Sequence, residues 1–191
     1  TACKYIKQAT ARYLEWFERD DLEFRSDKVD RVVNFISKLR HYKGKDNKKP
    51  FKLLPYQLWI VASIFGFYYK DTEKRVVKYV YCELARKQGK TALMAAICLY
   101  MLIAVYENGS EVYLVANSAK QAKICFEMSS AFLSSIDPKA KYFKRYRDSV
   151  KFDKTKSFIQ VLAADASTND GYNPYCFCLD EAHEQRDSLL W

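Results

Sequence analysis

Apolar side chains at Tyr5, Ile6, Ala9, Tyr13, Trp16 and Phe17 recur at the spacing that gathers them on one helical face, predicting a helix from about Ala2 to Arg19. The same pattern returns at Val29, Val32, Val33, Ile36 and Leu39, behind Ser26 or Asp27, either of which suits an N-cap. The polar stretch from Tyr42 to Lys49 holds Gly44 and is followed by Pro50, so it reads as a linker. Pro55 then suits the first turn of a third helix carrying Trp59, Ile60, Ser63 and Phe67. Beyond Asp71 the period changes. Val76 to Cys82 reads as a strand, Thr91 to Tyr106 as a helix, Glu111 to Ala116 as a strand and Ser118 to Leu133 as a helix. That alternation predicts an α/β fold, a parallel sheet flanked by helices behind a helical N-terminal lead. Two more β-rich runs follow, Phe158 to Ala163 and Tyr175 to Leu179. The second is unbroken in its apolar character, as a strand buried on both faces would be.

Composition narrows the class. The 191 residues suffice for one packed domain with an appendage, giving a division into a lead and linker, 1–49, and a catalytic domain, 50–191. With 49% apolar residues, 5 Gly and 4 Pro, the chain is globular rather than disordered. The longest apolar run, from Thr91 to Val105, is too short for an ordinary membrane span. Six cysteines (Cys3, Cys82, Cys98, Cys125, Cys176, Cys178) are scattered through apolar stretches, and the one close pair has a single residue between its members. They read as reduced core thiols of a cytosolic protein rather than as zinc ligands.

Charge adds a partner class. Thirty-two basic against 23 acidic residues give a formal +9, which favours polyanions such as nucleic acid. One basic cluster comprises Lys38, Arg40, Lys43, Lys45, Lys48, Lys49 and Lys52. A second comprises Lys139, Lys141, Lys144, Arg145, Arg147, Lys151, Lys154 and Lys156. Either also serves as an ordinary solvated face.

Two segments carry chemistry. The expected strand Val76 to Cys82 runs into Glu83-Leu84-Ala85-Arg86-Lys87-Gln88-Gly89-Lys90-Thr91, and a helix begins at the end of that string. Nucleotide phosphates need a loop of backbone N–H groups at a helix N-terminus, a lysine for the β- and γ-phosphates, and a hydroxyl for Mg²⁺. Gly89, Lys90 and Thr91 match the last three letters of GxxxxGK[ST], but Leu84 stands where the first glycine belongs. A turn glycine before an ordinary helix start spells the same three letters. The second segment is Asp180-Glu181, directly after the apolar run that ends at Leu179, the end of a strand where α/β sheets bind ligands. In P-loop enzymes the first such acid holds Mg²⁺ and the second activates the attacking water. Paired acids also cap helices. The two segments together, each behind an expected strand, point to a P-loop nucleoside triphosphatase of the RecA-like class. His183 completes a DEAH string as a structural, sensing or coupling residue, and Arg86 inside the loop suits contact with a γ-phosphate, contact with a neighbouring element, or plain solvation.

Several segments together resemble the ATPase part of the large terminase subunit, the DNA-packaging motor of tailed bacteriophages and prophages. They are the helical lead, Pro50 to Trp59, Ala85 to Thr91, Ala116 to Ala122, Asp170 to Pro174 and Leu179 to His183. The family's phosphate loop typically lacks its first glycine and carries an Arg-Lys-Asn/Gln-Gly-Lys-Ser/Thr core, which accommodates Leu84. The resemblance implies that Gln57 reads the adenine and that Arg86, Lys87, Gln88, Gly89, Lys90 and Thr91 cradle ATP. It implies that Thr91 and Asp180 hold Mg²⁺, that Arg86 senses the γ-phosphate, and that Glu181 is the catalytic glutamate, with Lys90 and Arg86 assisting. Implied partners are double-stranded DNA, the portal protein, the small terminase subunit and further copies in a homo-oligomeric ring, with no membrane, in the cytoplasm of a bacterial host.

The resemblance covers nearly the whole chain. The family's later strands and its RNase H-like nuclease domain would follow Trp191, so the sheet is expected to be incomplete and the isolated fragment weak or inactive as an ATPase. Arg186, Arg145 and Arg147 are candidates for an arginine acting in trans or on DNA. Two alternatives are a superfamily 2 DEAH-type helicase fragment and a catalytically inactive nucleotide- or DNA-binding module.

Overall fold

The computed structural model describes residues 2–104, 108–116, 118–163 and 172–182. The chain divides into two compact units interleaved along the sequence, Thr1–Phe35 with Lys52–Glu83, and Ile36–Phe51 with Leu84–Trp191. The elements in order are α1 (Lys4–Glu18), β1 (Leu22–Phe24), α2 (Ser26–Lys38), α3 (Pro55–Phe65), β2 (Phe67–Tyr69), α4 (Lys90–Ile103), β3 (Glu111–Ala116), α5 (Ala119–Ile136), β4 (Phe143–Arg145), β5 (Ser149–Phe152), β6 (Ser157–Ala163) and β7 (Pro174–Asp180).

The first unit is built on aromatic packing. The helical face expected of α1 carries Tyr13, Trp16 and Phe17 to Phe67, at ring-centroid distances of 5.3, 5.1 and 5.0 Å in edge-on geometry. Each such pair contributes about 0.5–1.5 kcal/mol beyond its buried area. Phe67 lies on β2, which pairs antiparallel with β1 from Leu22↔Tyr69 to Phe24↔Phe67. These strands are too short to show an alternating pattern in the sequence. Between α3 and β2, a Cβ on Gly66 would lie 2.2 Å from Phe24 Cε2 and 2.6 Å from the Ala62 carbonyl oxygen. With φ at −88° the obstacle is packing rather than backbone strain. Gly66→Ala is expected to lower unfolding free energy by about 1–3 kcal/mol in urea titrations, the cost of overpacking a fitted interior.

The expected strand Val76 to Cys82 is not a strand. Its start follows β2, through the Arg75↔Tyr68 bridge and the Val76 N–H donated to the Phe67 carbonyl at 3.0 Å. From residue 77 to 85 there is no regular structure, and Tyr79 is 94% exposed. β-branched and aromatic residues favour a pleated surface only where a neighbouring strand takes up their backbone N–H and C=O groups. Among the described residues, 77–82 have no such ladder.

The second unit holds a five-stranded sheet in the order β4-β5-β6-β3-β7. The parallel part expected from sequence is β6-β3-β7, with Val112 opposite both Ile159 and Cys176. The sheet is nonetheless mixed, because β4 and β5 form an antiparallel hairpin on β6. β3, between two parallel neighbours, is buried from Val112 to Ala116. β7 corrects the expectation of burial on both faces: its one neighbour among the described residues is β3, and it is half-buried, with Phe177 44% exposed. Helices α4 and α5 pack on each other and on the parallel strands. Ser118 caps α5 by accepting the Gln121 N–H at 3.2 Å. The expected linker turns at Gly44, whose φ is +76°, and returns to pair Arg40 with Pro50. Phe51 then stacks on Phe132 of α5 at 5.6 Å. Among the described residues no helix is long and apolar enough to cross a membrane.

Candidate functional site

The loop before α4 runs from Leu84 to Gly89, and its residues from Ala85 onward are exposed. Gly89 caps the helix in the left-handed region, φ 74° and ψ 20°, which glycine adopts without a Cβ penalty. Lys87, two residues earlier, also has positive φ at 65°. Alternation of this kind turns successive backbone N–H groups toward one side, an anion-binding concavity, and the N-terminus of α4 adds its dipole. Helical bonding begins with the Leu93 N–H donated to the Gly89 carbonyl at 3.0 Å. This places Lys90 and Thr91 in the first turn.

From that turn the Lys90 side chain reaches the C-terminal end of β7. Its Nζ lies 3.1 Å from Glu181 Oε1 and 3.8 Å from Asp180 Oδ1. Asp180 closes the strand opposite Ala116 of β3 and is only 8% exposed. Glu181 leaves the strand at φ 53° and donates its N–H to Asp180 Oδ1 at 3.0 Å. For a residue with a Cβ that conformation is strained, by about 1–3 kcal/mol, and such strain collects at functional positions. The residues expected at the two poles, about ninety positions apart in sequence, therefore meet.

Burial pushes the Asp180 carboxyl above the ordinary aspartate range, Lys90 opposes the shift, and Glu181 reinforces it. With the folded-state pKa the higher one, Asp180 favours the folded state below its unfolded pKa, and this contribution is lost as pH rises through the folded value. An NMR titration of this carboxyl is expected to give a midpoint above the usual ~4, higher still in Lys90→Ala and lower in Glu181→Gln. A midpoint at or below the usual value would contradict the burial argument.

The donors suit a magnesium nucleotide. A threonine hydroxyl and a carboxylate are hard oxygen ligands of the kind Mg²⁺ takes, and an ammonium already balances the carboxylate pair where further positive charge would be accepted.

The other expected site residues are placed as follows. Arg86 and Gln88 are exposed in the loop. Gln57 belongs to the first unit, is 2% exposed, and accepts the Leu54 N–H at 3.0 Å through its Oε1, closing the first turn of α3. Arg145 is committed to the fold: it donates to the Asp137 carbonyl at 2.8 Å and to Ser134 Oγ at 3.0 Å. Arg147 is exposed beside Asp148. His183 and Arg186 lie outside the described residues, as do Asn117, Asp170 and Gly171 of the terminase-like segments.

One cluster was not legible in sequence. Cysteines read as scattered are in part gathered, with Cys98 of α4 and Cys176 and Cys178 of β7 bringing their sulfurs within 4.8 Å of one another. The alternation of Cys176 and Cys178, which puts both on one strand face, was the available signal.

The family profile of the terminase large subunit ATPase domain matches residues 55–190. The chain belongs to that family. It is 23% identical over 194 residues to the terminase large subunits of Lactococcus phage p2 and Lactococcus phage SK1, covering 97% of this chain and 35% of each relative. The chain thus spans about a third of the length of these relatives. The crystal structure of the HK97 bacteriophage large terminase superposes with a TM-score of 0.70 at 23% identity, covering 85% of this chain and 33% of that one. The shared fold is the P-loop α/β fold expected from the sequence. These matches favour the terminase family over the helicase alternative, although a DEAH string suits both.

Proposed function

We propose that this chain is an ATP-hydrolysing segment of a terminase motor that moves double-stranded DNA into a prohead. The observation that carries the reading is the meeting of Lys90, in the first turn of α4, with Asp180 and Glu181 at the end of β7, in a chain of the terminase ATPase family. Residues 50–191 form the catalytic domain in this reading and 1–49 its lead and linker.

The roles follow from chemistry and position. The backbone N–H groups of the 86–90 loop and the Lys90 ammonium bind phosphate oxygens, with Arg86 free to lean toward the terminal phosphate. Thr91 and Asp180 would hold Mg²⁺, which when bound neutralises charge on the transferred phosphoryl group. Lys90 exchanges its carboxylate partners for phosphate, releasing Glu181. The Glu181 carboxylate then orients a water and accepts its proton as the water oxygen attacks the γ-phosphorus, and the bond from that phosphorus to the β–γ bridging oxygen breaks with ADP as the leaving group. Gln57 selects adenine. Double-stranded DNA is the partner that fits the basic balance. The portal protein, the small terminase subunit and a homo-oligomeric ring complete the assembly.

The test is Lys90→Ala, read by equilibrium binding of a magnesium-bound fluorescent ATP analogue and by phosphate release. Loss of affinity by about 10²-fold or more is expected, the cost of removing a charge-assisted contact worth roughly 3 kcal/mol. Unchanged binding with the fold intact would refute the assignment.

A further inference from the structure

The cysteine cluster lies on the same face of β7 as Asp180, because Cys176, Cys178 and Asp180 alternate along one strand. Cys98 meets it from α4 and is fully buried. Cys98 Sγ is 3.0 Å from Cys178 Sγ, and Cys176 Sγ is 3.9 Å from Cys178 Sγ. Buried thiols often act as small apolar fillers. Fillers, however, pack at contact distances of about 3.5–4.0 Å or more, and the Cys98–Cys178 separation is well inside that. As the side chains stand, Cys98 and Cys178 share a proton, and three sulfurs within 4.8 Å of one another offer a soft ion its donors.

From this geometry we propose that Cys98, Cys176 and Cys178 form a binding site for a thiophilic d¹⁰ dication of the zinc class. Zinc–thiolate bonds of about 2.3 Å put two sulfurs of a tetrahedron about 3.8 Å apart. The Cys176–Cys178 spacing of 3.9 Å already meets this, and the Cys98–Cys178 pair, at 3.0 Å, would open by about 0.8 Å on taking up the ion. The group contains neither imidazole nor carboxylate, so it discriminates against Mg²⁺ and Ca²⁺. Soft and hard ligands are thereby segregated along one strand, with Asp180 left for a nucleotide-bound hard cation. Each thiol that ligates the ion releases its proton to solvent. The bound ion ties α4, which begins at Lys90, to β7, which ends at Asp180.

The experiment uses protein with the exposed Cys3 and Cys82 replaced by serine, kept reduced with a phosphine and titrated with Cd²⁺, a spectroscopic substitute for Zn²⁺. Expected are one tightly bound ion per chain and a thiolate-to-metal absorption band of three thiolates. Zn²⁺ at a hundredfold excess over its Kd is expected to raise Tm by about 5–10 °C. Cys98→Ala and Cys176→Ala should each weaken binding by more than the ~10–100-fold typical of losing an outer-shell partner. Cys176 is only half-buried, so its variant keeps the fold available if the Cys98 variant does not. A band of two or fewer thiolates, or binding indifferent to Cys176→Ala, overturns the proposal. Neither result touches the nucleotide assignment, which stands or falls with Lys90→Ala.

Discussion

Glu181→Gln is expected to lower ATP hydrolysis by about 10²–10⁴-fold, the range associated with a general base, while nucleotide affinity changes only a few-fold. The amide keeps the size of the side chain but cannot accept the water's proton. It also removes a charge 3.1 Å from Lys90 that Lys90 must give up on meeting phosphate, so slightly tighter nucleotide binding is the direction expected. The same change removes an influence that raises the Asp180 pKa, so Asp180 is ionised over a wider pH range. Turnover and binding should therefore separate. Single-turnover phosphate release beside equilibrium binding reads both, and near-normal turnover would show that another group activates the water.

Asp137→Ala is expected to cost about 3–5 kcal/mol of stability, the largest effect away from the site. Asp137 is 4% exposed where α5 ends, and its carboxylate accepts the N–H groups of Lys141, Tyr142 and Phe143 at 2.9, 3.0 and 3.1 Å. These bonds start β4. Removing the acceptor strands several backbone donors, each costing about 1–3 kcal/mol when buried, with partial relief from water. Desolvation would raise the Asp137 pKa, but the N–H groups of Tyr142, Lys141 and Phe143, with Arg145, hold it below the ordinary value. A lowered folded pKa gives stability that is present above the unfolded pKa and lost as pH falls through the folded one. Urea unfolding at neutral pH and at pH 3 should show the wild-type advantage over the variant shrinking in acid. An advantage that persists in acid would mean that packing, not the charged cap, holds this corner.

Much of the site was legible because its parts are local. The Gly89-Lys90-Thr91 string needs only a helix start, and the α4 periodicity supplied it. The Tyr175 to Leu179 run marked a strand, and the acids followed it. The hairpin β4–β5 was not legible, since its strands of 3 and 4 residues lie in a basic stretch with little alternation. The side-chain pattern of Val76 to Cys82 gave a strand where no ladder partner is described. Arg145, a candidate for acting in trans or on DNA, braces the end of α5 through Ser134 and the Asp137 carbonyl, contacts that no local pattern announces. Gln57 was assigned to adenine by resemblance, while its buried oxygen closes the first turn of α3.

By itself the sequence determined the helices, the central parallel strands and the residue types at both poles, because turns of helix and pleats of strand are set by neighbours a few positions away. Tertiary structure alone decided that Lys90 bridges to Asp180 and Glu181, that β7 is half-exposed, and that Cys98 meets the Cys176 and Cys178 pair. Those outcomes depend on which strand lies beside which and on the burial that follows, and pairing across ninety residues leaves no periodic trace in the chain.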